Sequence, residues 1–271
     1  MIGRRSWRQS PRVHYDPDPV PTIYDARDFA MSVRQNEYGQ PIGFPLPDWV
    51  PCPSPAREPM AGRYCRLEPL DPDRHAAALY AANSLEGDGR AWTYMPYGPF
   101  DDLESYVEWM KSKCLGDDPL FFAIIDLASR KPVGVASYLR ITPAVGCIEV
   151  GHLLFSSQLK RTPIATEAMF LMMQHAFELG YRRYEWKCDA LNEPSRAAAR
   201  RLGFSFEGVF RQATVYKSRS RDTAWHAIID SEWPALRKAF QAWLHLGNFD
   251  GSGRQRTSLS ELTRPIRSDC C

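Results

Sequence analysis

Three short stretches combine residue types that can do chemistry. The first is LKRTPIATEAMF (159–170), where Lys160, Arg161 and Thr162 stand directly before Pro163 at the head of a long apolar segment. A helix N-terminus presents unpaired amides and the positive end of its dipole. Two cations beside it add full charges, so this pattern can hold a phosphate group. Thr162 is also a natural N-cap with Pro163 at the first helical position, and one geometry satisfies both readings. The second is CIEVGHLLF (147–155), in which Glu149 interrupts an otherwise apolar strand. That carboxylate either faces solvent or is buried; a buried one has a raised pKa and can act as a base near neutrality. Strand alternation points His152, three residues on, to the opposite face, so it is not an obvious partner. The third is NEPSRAAARRLGF (192–204): Asn192 ends a strand, Ser195 lies in the first turn of a short helix, and Gly203 closes that helix.

These stretches need elements to position them. Gly62 to Leu70 alternates as a strand, and Asp71 to Asn83 reads as a helix capped by Asp71 with Pro72 at its first position. Asp101 to Lys113 repeats that theme, with Leu103, Val107 and Met110 on one stripe. Three strands follow over 120–127, 133–141 and 147–155. Thr162 to Gly180 is apolar on most faces and is predicted to be a buried helix ended by Gly180. A strand over 181–190, a helix over 194–202, strands over 206–217 and 223–229, and a closing helix over 233–246 complete the pattern. Strands alternate with helices only in the second half, which predicts an α+β protein with a mixed sheet.

The flanks differ. Residues 1–60 are proline-rich, which excludes regular sheet or a long helix; only Tyr24 to Gln35 could hold a short one. Phe44, Leu46, Trp49 and Val50 suggest an arm lying along a central domain of residues 61–247. Residues 248–271, rich in Ser, Arg and Gly, read as a disordered tail.

The totals exclude several classes. A net charge of +2 over 271 residues argues against nucleic acid as the partner. No apolar run approaches the ~18 residues of a membrane span, and no apolar core follows the N-terminal arginines as a secretory signal requires. Seven scattered cysteines, with no CxxC or Cys/His cluster, point to neither a disulfide framework nor a metal site, and fit a cytoplasmic protein. The terminal Cys270-Cys271 pair has no polybasic run or CaaX box before it and reads as an accidental tail pair rather than a lipid anchor.

Taken together, IEVGHLLF, LKRTPIATEA, NEPSRAAARRLGF and GVFRQ resemble the GNAT N-acetyltransferase superfamily, in the branch containing the ribosomal-protein N-terminal acetyltransferases. Glu149-Val150-Gly151-His152, Ala165-Thr166-Glu167-Ala168, Asn192, Ser195, Leu202-Gly203-Phe204, Glu207-Gly208 and Arg211 fall in register with that family's motifs, over about residues 60–235. The resemblance implies a three-layer GNAT-like fold, a mixed and mostly antiparallel sheet flanked by helices. It implies acetyl-CoA as acyl donor. The pantetheine arm would pair with Leu153, Leu154 and Phe155 where two strands splay, and the pyrophosphate would sit on Lys160, Arg161, Thr162, Pro163, Ile164 and Ala165. Asn192 would lie near the arm, Ser195 would hydrogen-bond the departing thiol, and Glu149 would serve as base. No metal is implied.

Two residues depart from the family pattern: Pro163 stands where a loop glycine is usual, and Ala199 where many relatives carry a tyrosine acid. The acceptor reads as a primary amine, of a small molecule in preference to a protein N-terminus. Its pocket would be built from the first two helices, residues 92–100 and the turn near Ser218 to Asp222. A GNAT-fold binding protein without turnover is the alternative, and a homodimer is compatible with either.

Overall fold

The computed structural model describes residues 34–268. The described residues fall into two units, a short one over 34–45 and a compact one over 46–268. In the first, β1 (Arg34–Gln35) and β2 (Pro41–Ile42) form a minimal antiparallel hairpin. Arg34 and Gln35 are thus strand, not the end of a helix. The rest of that expected helix, and Cys270-Cys271, lie outside the described residues.

The compact unit is built on one eight-stranded sheet. Its strands are β3 (Met60–Ala61), β4 (Cys65–Pro69), β5 (Leu120–Asp126), β6 (Lys131–Thr142), β7 (Cys147–Phe155), β8 (Arg183–Asp189), β9 (Ser205–Tyr216) and β10 (Arg219–Ile229), in the spatial order β3-β4-β5-β6-β7-β8-β10-β9. Every pairing is antiparallel except β7 with β8, which are joined by a helical crossover and run parallel. This is the α+β, mostly antiparallel architecture that the sequence predicts.

Helices cover both faces. α1 (Pro72–Ser84) and α2 (Leu103–Lys113) lie on one face, where Leu79, Tyr106 and Met110 meet Phe121, Ala123, Val135 and Leu154. α3 (Pro163–Glu178) and α5 (Trp233–Leu244) lie on the other, where Met169, Met172 and Met173 join Ile148, Val150, Tyr184 and Trp186. Phe170 stacks on Phe240 at 5.5 Å and Phe177 on Trp233 at 4.9 Å, which locks α3 to α5. Asp71, Asp102, Thr162 and Asn192 cap their helices through side-chain acceptors; each such cap stabilises by about 1 kcal/mol.

The compact unit extends past both expected boundaries. On the N-terminal side, Trp49 donates its indole N–H to Ala144 O at 2.9 Å and Cys52 N donates to Pro143 O at 3.1 Å, so residues 46–61 run along the domain. On the C-terminal side, the expected disordered tail is folded as far as Ser268. α4 (Glu193–Arg201) and α6 (Leu259–Thr263) pack together there. Leu259 is fully buried, Leu262 and Ile266 join the core, and Thr263 Oγ1 donates to Arg201 O at 3.1 Å. Its polar composition misleads because three apolar side chains, rightly spaced, suffice to seat a short segment on an existing groove.

Candidate active site

β7 and β8 pair in parallel from Cys147↔Arg183 to Val150↔Trp186, and then they part. Each keeps its other neighbour: β7 stays on β6 through Leu154↔Val135 and Phe155↔Gly134, and β8 stays on β10 through Asp189↔Thr223. A bulge in β7 accompanies the parting. One extra residue sits between Gly151 and Leu154, and His152 has φ 50°. A bulge bends its strand and increases the local twist, which swings residues 151–155 away from β8. The result is a fork whose β7 edge offers backbone donors and acceptors with no strand partner.

The bulge also corrects the placement of His152. It packs 5.0 Å from Phe121 and stacks on Tyr97 at 5.6 Å, with Tyr97 Oη and His152 Nδ1 3.1 Å apart. Phe121 pairs with Ser137, which pairs with Gly151, so His152 shares the face of Gly151 and Glu149 instead of opposing it. Burial lowers its pKa to about 4, with the charge of Arg140 acting in the same sense.

Glu149 is buried, 3% exposed. Of the two readings open from sequence, the solvent-facing one fails. Arg140 Nη1 donates to both carboxylate oxygens at 2.8 Å, and Lys187 Nζ lies 3.1 Å from Oε2. Burial raises the Glu149 pKa against the pull of Lys187 and then Arg140. Arg140 reaches it from an irregular stretch of β6, at φ 47°, where Asp118 accepts the amides of Arg140 and Ile141 at 2.8 and 3.1 Å. Lys187 also bridges to Glu185 at 2.6 Å and sits 3.8 Å from the centre of the Trp225 ring.

At the opposite face, Ser195 accepts the indole N–H of Trp186 at 3.0 Å. Trp186 is the last residue of β8 paired with β7, so this bond holds Ser195 beside the fork. Its own hydroxyl proton is the one it can offer to the Cys188 sulfur. A bond to Cys188 already pulls that thiol's pKa down, though burial is the larger effect and raises it. Asn192 is the α4 N-cap, accepting Ser195 N at 3.2 Å. Ala199 is fully buried in the main core.

Above the fork stands the α3 N-terminus. Thr162 caps it, accepting Ala165 N at 3.5 Å and donating to Leu159 O at 2.7 Å. Arg161, at φ 62°, is exposed, and among the described residues it makes no ion pair. Its amide, and those of Thr162 and Ile164, donate to no backbone carbonyl outside regular elements. Pro163 is the first helical residue, where an amide would be unused by the helix in any case. Lys160 is drawn aside: its ammonium bonds both oxygens of Glu86 at 2.7 and 2.9 Å. Leu154 is buried under α1 and α2, while Leu153 and Phe155 are half-buried on the unpaired stretch of β7.

The segments expected to form an acceptor pocket do meet. Lys217 Nζ donates to Trp92 O and Arg219 Nη2 to Thr93 O, each at 2.8 Å, and Tyr94 Oη donates to Leu191 O at 3.1 Å. Behind them Trp92, Tyr97, Phe100, Tyr106 and Trp109 form a continuous aromatic cluster, the closest pair being Tyr97 and Trp109 at 4.3 Å. Sequence reasoning missed Arg140, Lys187 and Trp225. Alternation in YRRYEWKCDA does put Glu185 and Lys187 on one face, but only strand register brings that face to Glu149.

Residues 65–205 match the family described as Acetyltransferase (GNAT) domain. Over 102 residues the chain is 33% identical to the ribosomal-protein-serine acetyltransferase of Escherichia coli (strain K12), a match covering 37% of this chain and 56% of that protein. The chain thus spans little more than half the length of this curated relative. A GCN5-related N-acetyltransferase from Brucella melitensis is 48% identical with a TM-score of 0.79, over 81% of this chain and 100% of that one. A probable GNAT-family acetyltransferase from Chromobacterium violaceum is 41% identical with a TM-score of 0.68, over 72% and 98% respectively.

Proposed function

Since the chain belongs to the GNAT acetyltransferase family, we propose that it moves an acetyl group from acetyl-CoA to a primary amine of a small molecule. The observation that carries this reading is the fork between β7 and β8, with a buried carboxylate on one face and a serine hydroxyl on the other.

Acetyl-CoA supplies an activated thioester. The unpaired edge at Leu153, Leu154 and Phe155 fits an amide-bearing arm, as an added strand would fit it. The free amides of Arg161, Thr162 and Ile164 and the helix dipole there, with the Arg161 and Lys160 charges, fit a diphosphate. Lys160 would exchange Glu86 for phosphate. Pro163 leaves this cradle workable because the position it takes has no helical hydrogen bond to lose.

Glu149 serves as the base. Its raised pKa brings the carboxylate closer to the acidity needed to take a proton from an ammonium, directly or through water. Lys187 and Arg140 favour its ionised form and fix its orientation. Ser195, oriented by Trp186, donates a hydrogen bond to the departing sulfur from the opposite face, and the thiolate takes its proton from solvent. With Ala199 in the core, no side chain there takes the part of the tyrosine usual in the family.

The aromatic cluster beneath residues 92–100 and the cations of the β9–β10 turn favour a small, partly apolar acceptor. The ribosomal-protein-serine acetyltransferase relative favours the second reading, a protein N-terminus. The third, a binding protein without turnover, rests on Pro163 and Ala199. Among the described residues no helix is long and apolar enough to cross a membrane, and the five cysteines there are free thiols, which fits the cytoplasm. A thiol-release assay with acetyl-CoA decides among the three readings. Release on small amines supports the first, release only on N-terminal peptides the second, and coenzyme binding without release the third.

A further inference from the structure

A second site lies outside the fork, in a cavity between α4 and α6. Its volume is about 230 Å³, and its lining is Ala197, Arg200, Arg201, Ser260, Arg264 and Arg267. Four arginines therefore line one small space.

At Arg201 no carboxylate balances that charge. Arg201 donates from Nη1 and Nη2 to Thr166 Oγ1 at 3.1 and 3.2 Å, a neutral acceptor, and its guanidinium lies 5.2 Å from the Trp243 ring centre. Burial alone lowers its pKa, and no carboxylate opposes that shift. Arg200 pairs with Glu193, an exposed residue that also holds Arg196 at 3.5 Å. Arg267 donates to Arg200 O at 3.1 Å. Arg264 is exposed; the nearby Glu261 spends one carboxylate oxygen capping α6, accepting Ser258 N at 2.8 Å. A partly buried guanidinium without a carboxylate is costly unless an anion reaches it, and adjacent guanidinium groups repel one another.

We propose that this cavity binds a phosphate monoester. A tetrahedral dianion presents several acceptors to several planar forks at once, the recognition that arginine suits best. The cavity also stands on the flank of the helix whose N-terminus takes the diphosphate in the reading above. Thr166, which anchors Arg201, is the fourth residue of α3. If that reading holds, the occupant is the 3′-phosphate on the adenosine end of the same coenzyme. Ser260, Arg264 and Arg267 lie beyond the family match at 65–205, so half of the wall is an addition to the shared domain.

Two measurements test the site, on the full chain and on Arg264→Gln, an exposed position whose folding is checked by circular dichroism; Arg200→Gln is the second variant. Thermal melts compare inorganic phosphate with sodium chloride at equal ionic strength. A rise in Tm specific to phosphate in the parent, and reduced in the variants, is expected. Calorimetric titration compares acetyl-CoA with acetyl-dephospho-CoA. Loss of the 3′-phosphate should weaken binding about tenfold in the parent and by much less in Arg264→Gln. If both coenzymes bind alike while phosphate still raises Tm, the site stands and a separate phosphorylated molecule fills it. If acetyl-CoA does not bind at all, the coenzyme reading fails and the phosphate melt alone decides the cavity. Parent and variants that respond identically to phosphate and to both coenzymes overturn the proposal.

Discussion

Lys187 places its ammonium 3.1 Å from Glu149 Oε2, and both side chains are almost wholly buried, 8% and 4% exposed. Glu185 shares the same ammonium at 2.6 Å, and the Trp225 ring lies 3.8 Å away. Two carboxylates thus divide one lysine, with Arg140 reaching Glu149 from β6. The cluster is a buried ion network in which removing either sign leaves the other uncompensated.

The first prediction concerns pH. Burial raises the Glu149 pKa, and Lys187 is the leading influence lowering it, followed by Arg140. Lys187→Met removes that lowering influence, so the pKa rises further and less carboxylate is ionised at neutral pH. The acidic limb of kcat/KM should move to higher pH. A profile that coincides with the parent's would mean that Glu149 does not set that limb.

Replacing the base itself should separate chemistry from binding. In Glu149→Gln the shape is kept and the proton acceptor is lost. We expect kcat to fall about 10²-fold or more, with acetyl-CoA affinity within about a factor of two of the parent. Steady-state rates beside calorimetric titration check both numbers; equal turnover across several pH values would remove Glu149 from the mechanism.

Ser195→Ala deletes the hydroxyl and leaves the Trp186 indole N–H without its acceptor. The stability loss should be about 1 kcal/mol in urea unfolding. Turnover should fall about 10²-fold if the hydroxyl hydrogen-bonds the developing thiolate. An unchanged kcat with only the stability loss would assign Ser195 a purely structural part.

Glu167 offers a stability test away from the chemistry. Its carboxylate accepts the amides of Arg63, Tyr64 and Cys65 at 2.8, 2.6 and 2.8 Å, tying α3 to the β3–β4 turn. Glu167→Ala orphans three amides and should cost about 3 kcal/mol or more. A Cβ at Gly62 would overlap that carboxylate, so Gly62→Ala should also destabilise. The double variant should lose less than the sum, because the shorter side chain removes the overlap. Additive losses in denaturant melts would contradict that contact.

Local patterns in the chain were enough to read the helices and strands of the core. Caps at Asp71, Thr162 and Asn192, the stop at Gly180, and alternation along β7 and β8 all act within a few residues, so a one-dimensional reading can find them. The motif residues of the family also lie close in sequence. For this reason Glu149, Asn192 and Ser195 could be singled out before any fold was known.

Tertiary structure decided what surrounds those residues. Glu149 is buried because β7 lies between β6 and β8 in one register, and that register brings Arg140 and Lys187 to it across two strand pairs. His152 shares the face of Glu149 because one bulged residue shifts the alternation beyond it. The segment around α6 is folded because Leu259, Leu262 and Ile266 find a groove made by other elements. Periodicity encodes which side of an element is apolar. Register, bulges and docking instead depend on partners distant in the chain, and their energies exist only once those partners are side by side.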